Sequence, residues 1–157
     1  MGTRVVKELV YDAPVEQVSA MLQDPAFRER SLERMKVLRG GATAQDGVVT
    51  VDQVQAARSL PSFVTKLVGD EIRIVQVERW TRVDHADVQV SIPGKPGEMN
   101  GTITLVGSGE RTVETVELDI TVRVPFVGGK MEAVVAEMFG KALATEHRTG
   151  VEWLTRA

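Results

Sequence analysis

The sequence predicts an α+β fold: an antiparallel sheet of about six or seven strands covered by one long C-terminal helix, with two short helices after strand 1. Three observations predict it. Valine occurs 26 times in 157 residues, and a β-branched residue used that heavily marks a sheet-rich chain. Strand-like segments follow one another from residue 71 to residue 124, joined by connections too short for parallel crossovers. The single long helical pattern comes last, Lys130 to about Thr155, and a sheet with one apolar face needs such a cover.

Each element has a local cause. Thr3 to Tyr11 reads as a strand, stopped by Asp12-Ala13-Pro14, because proline cannot donate to a ladder. Val15, Val18, Met21 and Leu22 then recur at helical spacing, which predicts a helix over Pro14 to Gln23. Asp24 can cap and Pro25 can open a second helix, running to about Arg34. Met35 to Arg39 is expected as a strand ending in a turn or bulge at Gly40-Gly41, and Val48 to Ala56 as another after the Asp46-Gly47 hairpin signal. Ser59 to Gly69 spaces Phe63, Val64, Leu67 and Val68 helically and reads as a short helix or ordered loop. Four strands follow: Glu71 to Arg82, Asp84 to Ile92, Glu98 to Val106 and Arg111 to Val124. The last alternates most clearly, with Val116, Leu118, Ile120, Val122 and Val124 on one face and Thr115, Glu117, Asp119, Thr121 and Arg123 on the other. On the long helix, Met131, Val135, Met138, Phe139, Ala142 and Trp153 share a broad apolar face, with Glu137, Lys141, Arg148 and Glu152 opposite.

Composition bounds the function classes. The chain is 26% charged and 43% hydrophobic, as expected of one globular domain spanning 1–157. A net charge of -3 argues against nucleic acid, whose binders carry a basic excess. No cysteine is present, so disulfides, thiolate metal sites and cysteine nucleophiles are excluded. The N-terminal segment lacks the apolar run of a signal peptide, and no stretch reaches the length of a membrane span. A cytoplasmic location is the expectation. Asn100-Gly101-Thr102 matches a glycosylation acceptor, read as chance without a secretory signal. His85 and His147, the two histidines, lack metal-ligand spacing. His85 is expected to be exposed, and no G-x-S-x-G elbow presents a nucleophile.

The segments that carry a family signal are YDAPVEQVSAMLQDPAFRER near the start, VERW in the middle and VPFVGGKMEAVVAEMF near the end. With the element order, they make the whole chain resemble the helix-grip fold of the START-like superfamily, also called SRPBCC. Within it they are similar to an actinobacterial family of unknown function. The resemblance implies a sheet curved around the C-terminal helix, with an apolar cavity between them. Members hold lipids, sterols, polyketides or plant hormones there, and some are cyclases or hydrolases. Fold does not carry function.

On that resemblance, Phe63, Leu67, Trp80, Met131, Val135, Met138, Phe139 and Glu146 are expected to line the cavity. Glu146 lies about 60° from Met131 and about 40° from Ala142 around the helix, so its carboxylate faces the cavity or holds a structural hydrogen bond. Gln76, Glu78 and Trp80 share a strand face with Ile72 and Ile74; the opposite register would turn Val75 and Val77 inward instead. Gly128-Gly129-Lys130 either supplies turn geometry or offers backbone donors to an anion. Ala133, Ala136, Gly140 and Ala144 form a small-residue stripe, explained by helix propensity or by close packing. Phe126 and Val127 are expected to pack on the helix start like a hydrophobic staple, or to sit at the cavity rim.

The leading reading is a binder of a small hydrophobic molecule, without cofactor or metal, as monomer or homodimer. The alternatives are a cyclase or hydratase-type enzyme using Glu146 as acid/base, and a protein-interaction module with a closed core.

Overall fold

In the computed structural model, which describes residues 2–156, seven strands form one antiparallel sheet in the order β1-β7-β6-β5-β4-β3-β2. The strands are β1 (Thr3–Tyr11), β2 (Arg39–Gln45), β3 (Val48–Ala56), β4 (Glu71–Arg82), β5 (His85–Ser91), β6 (Gly97–Ser108) and β7 (Arg111–Val122). β2 to β7 make a continuous meander, and β1 closes onto β7. Helices α1 (Val15–Leu22) and α2 (Pro25–Met35) carry the chain from one sheet edge to the other. A short α3 (Ser62–Val68) interrupts the meander between β3 and β4, and α4 (Gly128–Thr155) lies across the sheet face. This is the α+β helix-grip arrangement.

The caps follow the sequence. Asp24 accepts a hydrogen bond from the Ala26 amide at 2.9 Å, and Pro25 opens α2. Glycine at φ +81° ends α3 at Gly69. In β7, Val116, Leu118 and Ile120 are buried on one face. Val5, Val88, Val90 and Ile103 join them from neighbouring strands, and α4 adds Met131 and Leu143. Burying side chains of this size stabilises by about 1.5–3 kcal/mol each.

Two expectations are corrected. The segment after α2 is not a strand over Met35 to Arg39 with a turn at Gly40-Gly41. Met35 completes α2, Lys36 adopts a left-handed cap at φ 59°, and β2 runs straight through both glycines. Gly40 answers a close approach: a Cβ there would lie 2.8 Å from the Asp52 carbonyl and 3.2 Å from Leu32. The second correction is Phe126. It packs on nothing, being fully exposed at φ 71°, so it is no staple. The start of α4 is held by Glu132 instead. That buried carboxylate accepts from Thr3 Oγ1 at 2.8 Å and from the Val122 amide at 3.0 Å, stitching α4 to the ends of β1 and β7. These bonds, the backbone one first, hold the Glu132 carboxyl below its ordinary pKa.

The inner face divides into two apolar patches. The larger contains Tyr11, Leu22, Phe27, Leu118 and Ile120, and the smaller Leu32, Val49 and Val51. Trp80 touches both. No helix among the described residues is long and apolar enough to cross a membrane.

Candidate functional site

A buried ionic cluster lies against α2. Arg28 sits on the α2 arc with Ser31 and Leu32, all three buried. Its Nη2 donates to Glu78 Oε1 at 2.6 Å, its Nη1 lies 3.3 Å from Glu146 Oε1, and its Nε donates to the Leu22 carbonyl at 2.8 Å. Glu78 also accepts from Gln76 Nε2 at 2.6 Å and from Trp80 Nε1 at 3.1 Å. Burial of Glu78 settles the β4 register: Ile72, Ile74, Gln76, Glu78 and Trp80 form the inward set. Glu114 enters from β7, between its register partners Leu9 and Leu105. Glu114 Oε1 and Tyr11 Oη are buried without a hydrogen-bonding partner among the described residues.

Three carboxyl groups thus face one guanidinium. Burial, then repulsion from Glu146, pushes the Glu114 pKa well above its ordinary value, and Arg28 offsets this only in part. Burial likewise raises Glu146 despite Arg28. Burial pulls Arg28 down, but Glu78 and Glu146 together more than reverse it. Burial, then Glu114 and Glu146, raises the Tyr11 phenol. Glu114 and Glu146 therefore hold their protons to higher pH than exposed carboxyl groups do.

Beside this cluster, between the sheet and α4, lies a cavity of about 90 Å³. Val90, Ile92, Met99, Val135, Phe139 and Leu143 form its apolar side. Gln53, Gln55, Gln76, Arg28, Ser31 and Glu146 supply the polar groups. A second, almost wholly apolar compartment of about 40 Å³ lies toward α3, lined by Val64, Leu67 and Met131 among others. Ile72, Ile92, Val135 and Met138 border both spaces. Met35, Gln55, Met138 and Ala142 also border a surface depression beside Leu60 and Pro61, so two flexible thioethers are part of the wall shared by cavity and depression.

Of the residues singled out in the sequence, Val135, Met138, Phe139 and Glu146 line the main cavity, and Leu67, Met131, Val135 and Met138 the second compartment. Three stand elsewhere. Phe63 is half-buried and lines neither space; from α3, Val64, Leu67 and Val68 form the wall of the second. Trp80 is tied to Glu78 below the cavity, and Phe126 points to solvent. His85 is only partly exposed, 3.3 Å from Asp87, and His147 Nε2 lies 2.8 Å from the Val10 carbonyl. A Cβ at Gly128 would lie 2.6 Å from the Val122 carbonyl, so close approach explains that glycine. No group of three His, Asp or Glu side chains among the described residues is placed to hold a metal. Sequence reasoning missed Arg28 and Glu114. Both carried a readable signal, a charged residue in phase with a buried set: Arg28 with Ser31 and Leu32, and Glu114 with Val116 and Leu118.

Comparison with known proteins agrees with the fold. An uncharacterised protein of Mycobacterium tuberculosis is 29% identical over 165 aligned positions, covering 92% of this chain and 92% of its own. A START superfamily protein from Mycobacterium smegmatis superposes with a TM-score of 0.62 at 14% identity, over 96% of this chain and 98% of that one. The Zhui aromatase/cyclase from Streptomyces sp. R1128 superposes with a TM-score of 0.60 at 12% identity, over 97% and 90%. At such identities the likeness is one of fold. The profile of a family described as protein of unknown function DUF2505 matches residues 7–154; the chain, with its helix-grip fold, belongs to that family.

Proposed function

We propose that the protein binds a small, mainly hydrophobic molecule between the sheet and α4. One observation carries this: an apolar cavity with a few convergent polar groups, Gln53, Gln55, Gln76 and Glu146, in the place between sheet and long helix. At about 90 Å³ it is smaller than the ~150 Å³ that accommodates benzene. Occupation therefore includes displacement of Met138, which would join the two compartments. The fold of the START superfamily and aromatase/cyclase neighbours supports the reading. The setting it assumes is a cytoplasmic monomer or homodimer. Two measurements test it: mass spectrometry of organic extracts from the purified protein, and NMR of the ¹³C-methyl groups of Met99 and Met138 in hexane-saturated buffer. Shifts confined to these and neighbouring methyls support binding. Unmoved methyls together with an empty extract refute it.

A second reading has a specific observation behind it. Glu146 borders the cavity with its pKa raised by burial, as a general acid requires. Were it catalytic, Glu146→Gln would abolish turnover of an identified substrate while leaving its binding intact.

A further inference from the structure

The hydrogen-bonding inventory of the cavity wall is lopsided. Gln76 Nε2 donates to Glu78 Oε2 at 2.6 Å, leaving its carbonyl oxygen unengaged. Gln55 Nε2 donates to Gln53 Oε1 at 2.7 Å, again leaving a carbonyl oxygen. Ser31 donates its hydroxyl proton to the Phe27 carbonyl at 3.1 Å and keeps its lone pairs. Arg28 is directed at Leu22, Glu78 and Glu146. Glu146 is 8% exposed, and only Oε1 meets a cation. The one cation that lines the space, Arg28, is thus spent on protein acceptors; the neutral donors left over are the Gln53 amide and the second N–H of Gln55 and of Gln76. No unpaired cation faces the space among the described residues, and the carbonyl oxygens of Gln55 and Gln76 stay open.

Charge points the same way. Glu78, Glu114 and Glu146 surround a single guanidinium. A further anion placed beside them would find the one guanidinium already paired, in a weakly screened interior. A donor or a cation would instead satisfy the open carbonyl oxygens of Gln55 and Gln76.

We propose that the ligand of this cavity carries a hydrogen-bond-donating polar group, a hydroxyl or an ammonium, and not a carboxylate, and that this group sits against Glu146 and the carbonyl oxygens of Gln55 and Gln76. The proposal rests on the cavity being a binding site, and it adds the polarity of the occupant. It excludes fatty acids as a class and admits alcohols, phenols and amines of modest size. The ionic cluster then selects without touching the apolar body of the ligand: Arg28, neutralised by its neighbours, is no anion trap.

The test uses four probes sharing one apolar body: hexane, hexan-1-ol, hexylamine and hexanoate. Each is titrated at pH 7 into ¹⁵N,¹³C-methyl-labelled wild-type protein. The expected result is that hexan-1-ol and hexylamine bind at least about tenfold more tightly than hexanoate, the scale of one hydrogen bond to a charged group. They also shift the side-chain amide signals of Gln55 and Gln76. Glu146→Gln, which keeps the side-chain shape, is expected to narrow the preference of amine over carboxylate. Hexanoate binding as tightly as hexylamine, with hexane also bound, overturns the proposal and leaves the cavity as a binding site. If none of the four binds, the binding reading fails and the proposal with it.

Discussion

Replacing Glu114 with leucine should stabilise the protein, and should do so more at high pH than at low. Glu114 is 1% exposed, one of its oxygens has no partner, and its register neighbours are Leu9 and Leu105. An unsatisfied buried polar group costs about 1–3 kcal/mol. Exchange of buried ionic groups for apolar ones of similar volume is often neutral or stabilising by about 1–4 kcal/mol. Arg28 keeps Glu78 and Glu146 in the variant, so no charge is stranded. The expected gain at pH 8 is about 2 kcal/mol, which for a chain of this size raises Tm by roughly 4–8 °C. The sign with pH follows from the direction of the shift. The native pKa of Glu114 lies above its unfolded value, which is near 4.5. The stability that its bound proton brings is fully present below that value and is lost as pH rises through the native pKa. The wild type therefore weakens with rising pH by an amount the leucine variant escapes. Urea unfolding of both proteins at pH 4, 6 and 8 measures it. A variant less stable than wild type at pH 8, or a gain no larger there than at pH 4, would refute the reasoning.

Three other perturbations have defined outcomes. Arg28→Met strands three buried carboxyl groups and removes the bond to Leu22; it should cost about 3–5 kcal/mol at pH 7 by urea unfolding, and Arg28→Lys should recover only a part. Phe126→Gly relieves a left-handed residue whose side chain touches nothing; a net gain of about 0.5–1 kcal/mol is expected after glycine's greater unfolded freedom is counted, and a fall in Tm would show that Phe126 has a folded-state partner. Met138→Ala should cost about 1–2 kcal/mol, less than for a fully buried methionine, while strengthening hexane binding by merging the two compartments; calorimetry with and without hexane separates the effects.

The sequence made the element order legible because the cues were local. Asp24-Pro25 caps a helix wherever it occurs, and the alternation through Val116, Leu118 and Ile120 fixes a buried face without knowledge of what covers it. Gly40-Gly41 misled for the same reason. A glycine pair signals a turn locally, but here the demand comes from Asp52 and Leu32, remote in sequence. Glu146 could be placed on the cavity side because the wheel of one long helix places it. Arg28 and Glu114 were in phase with buried residues, yet only their meeting across fifty or more positions explains why charges sit there. The register of β4 turned on Glu78, a residue whose burial makes sense only once Arg28 is its partner. Phe126 broke the expectation in the other direction, an apolar residue that the chain leaves in water.

The ionic cluster also bears on how the molecule breathes. Tyr11 of β1, Leu22 of α1 and Phe27 of α2 belong to the larger apolar patch and are fully buried. By contrast, α3 buries a single residue, Val64, and adjoins the second compartment, which Met131 and Met138 also line. Free energies of local opening track such differences in burial, so the α3 end is expected to open at a lower cost than the half that holds Tyr11, Leu22 and Phe27. The α3 end can fray and reclose while the sheet and its long helix stay intact. Exchange of an occupant would then be timed by a small fluctuation at one end, independent of the rate at which the whole protein unfolds.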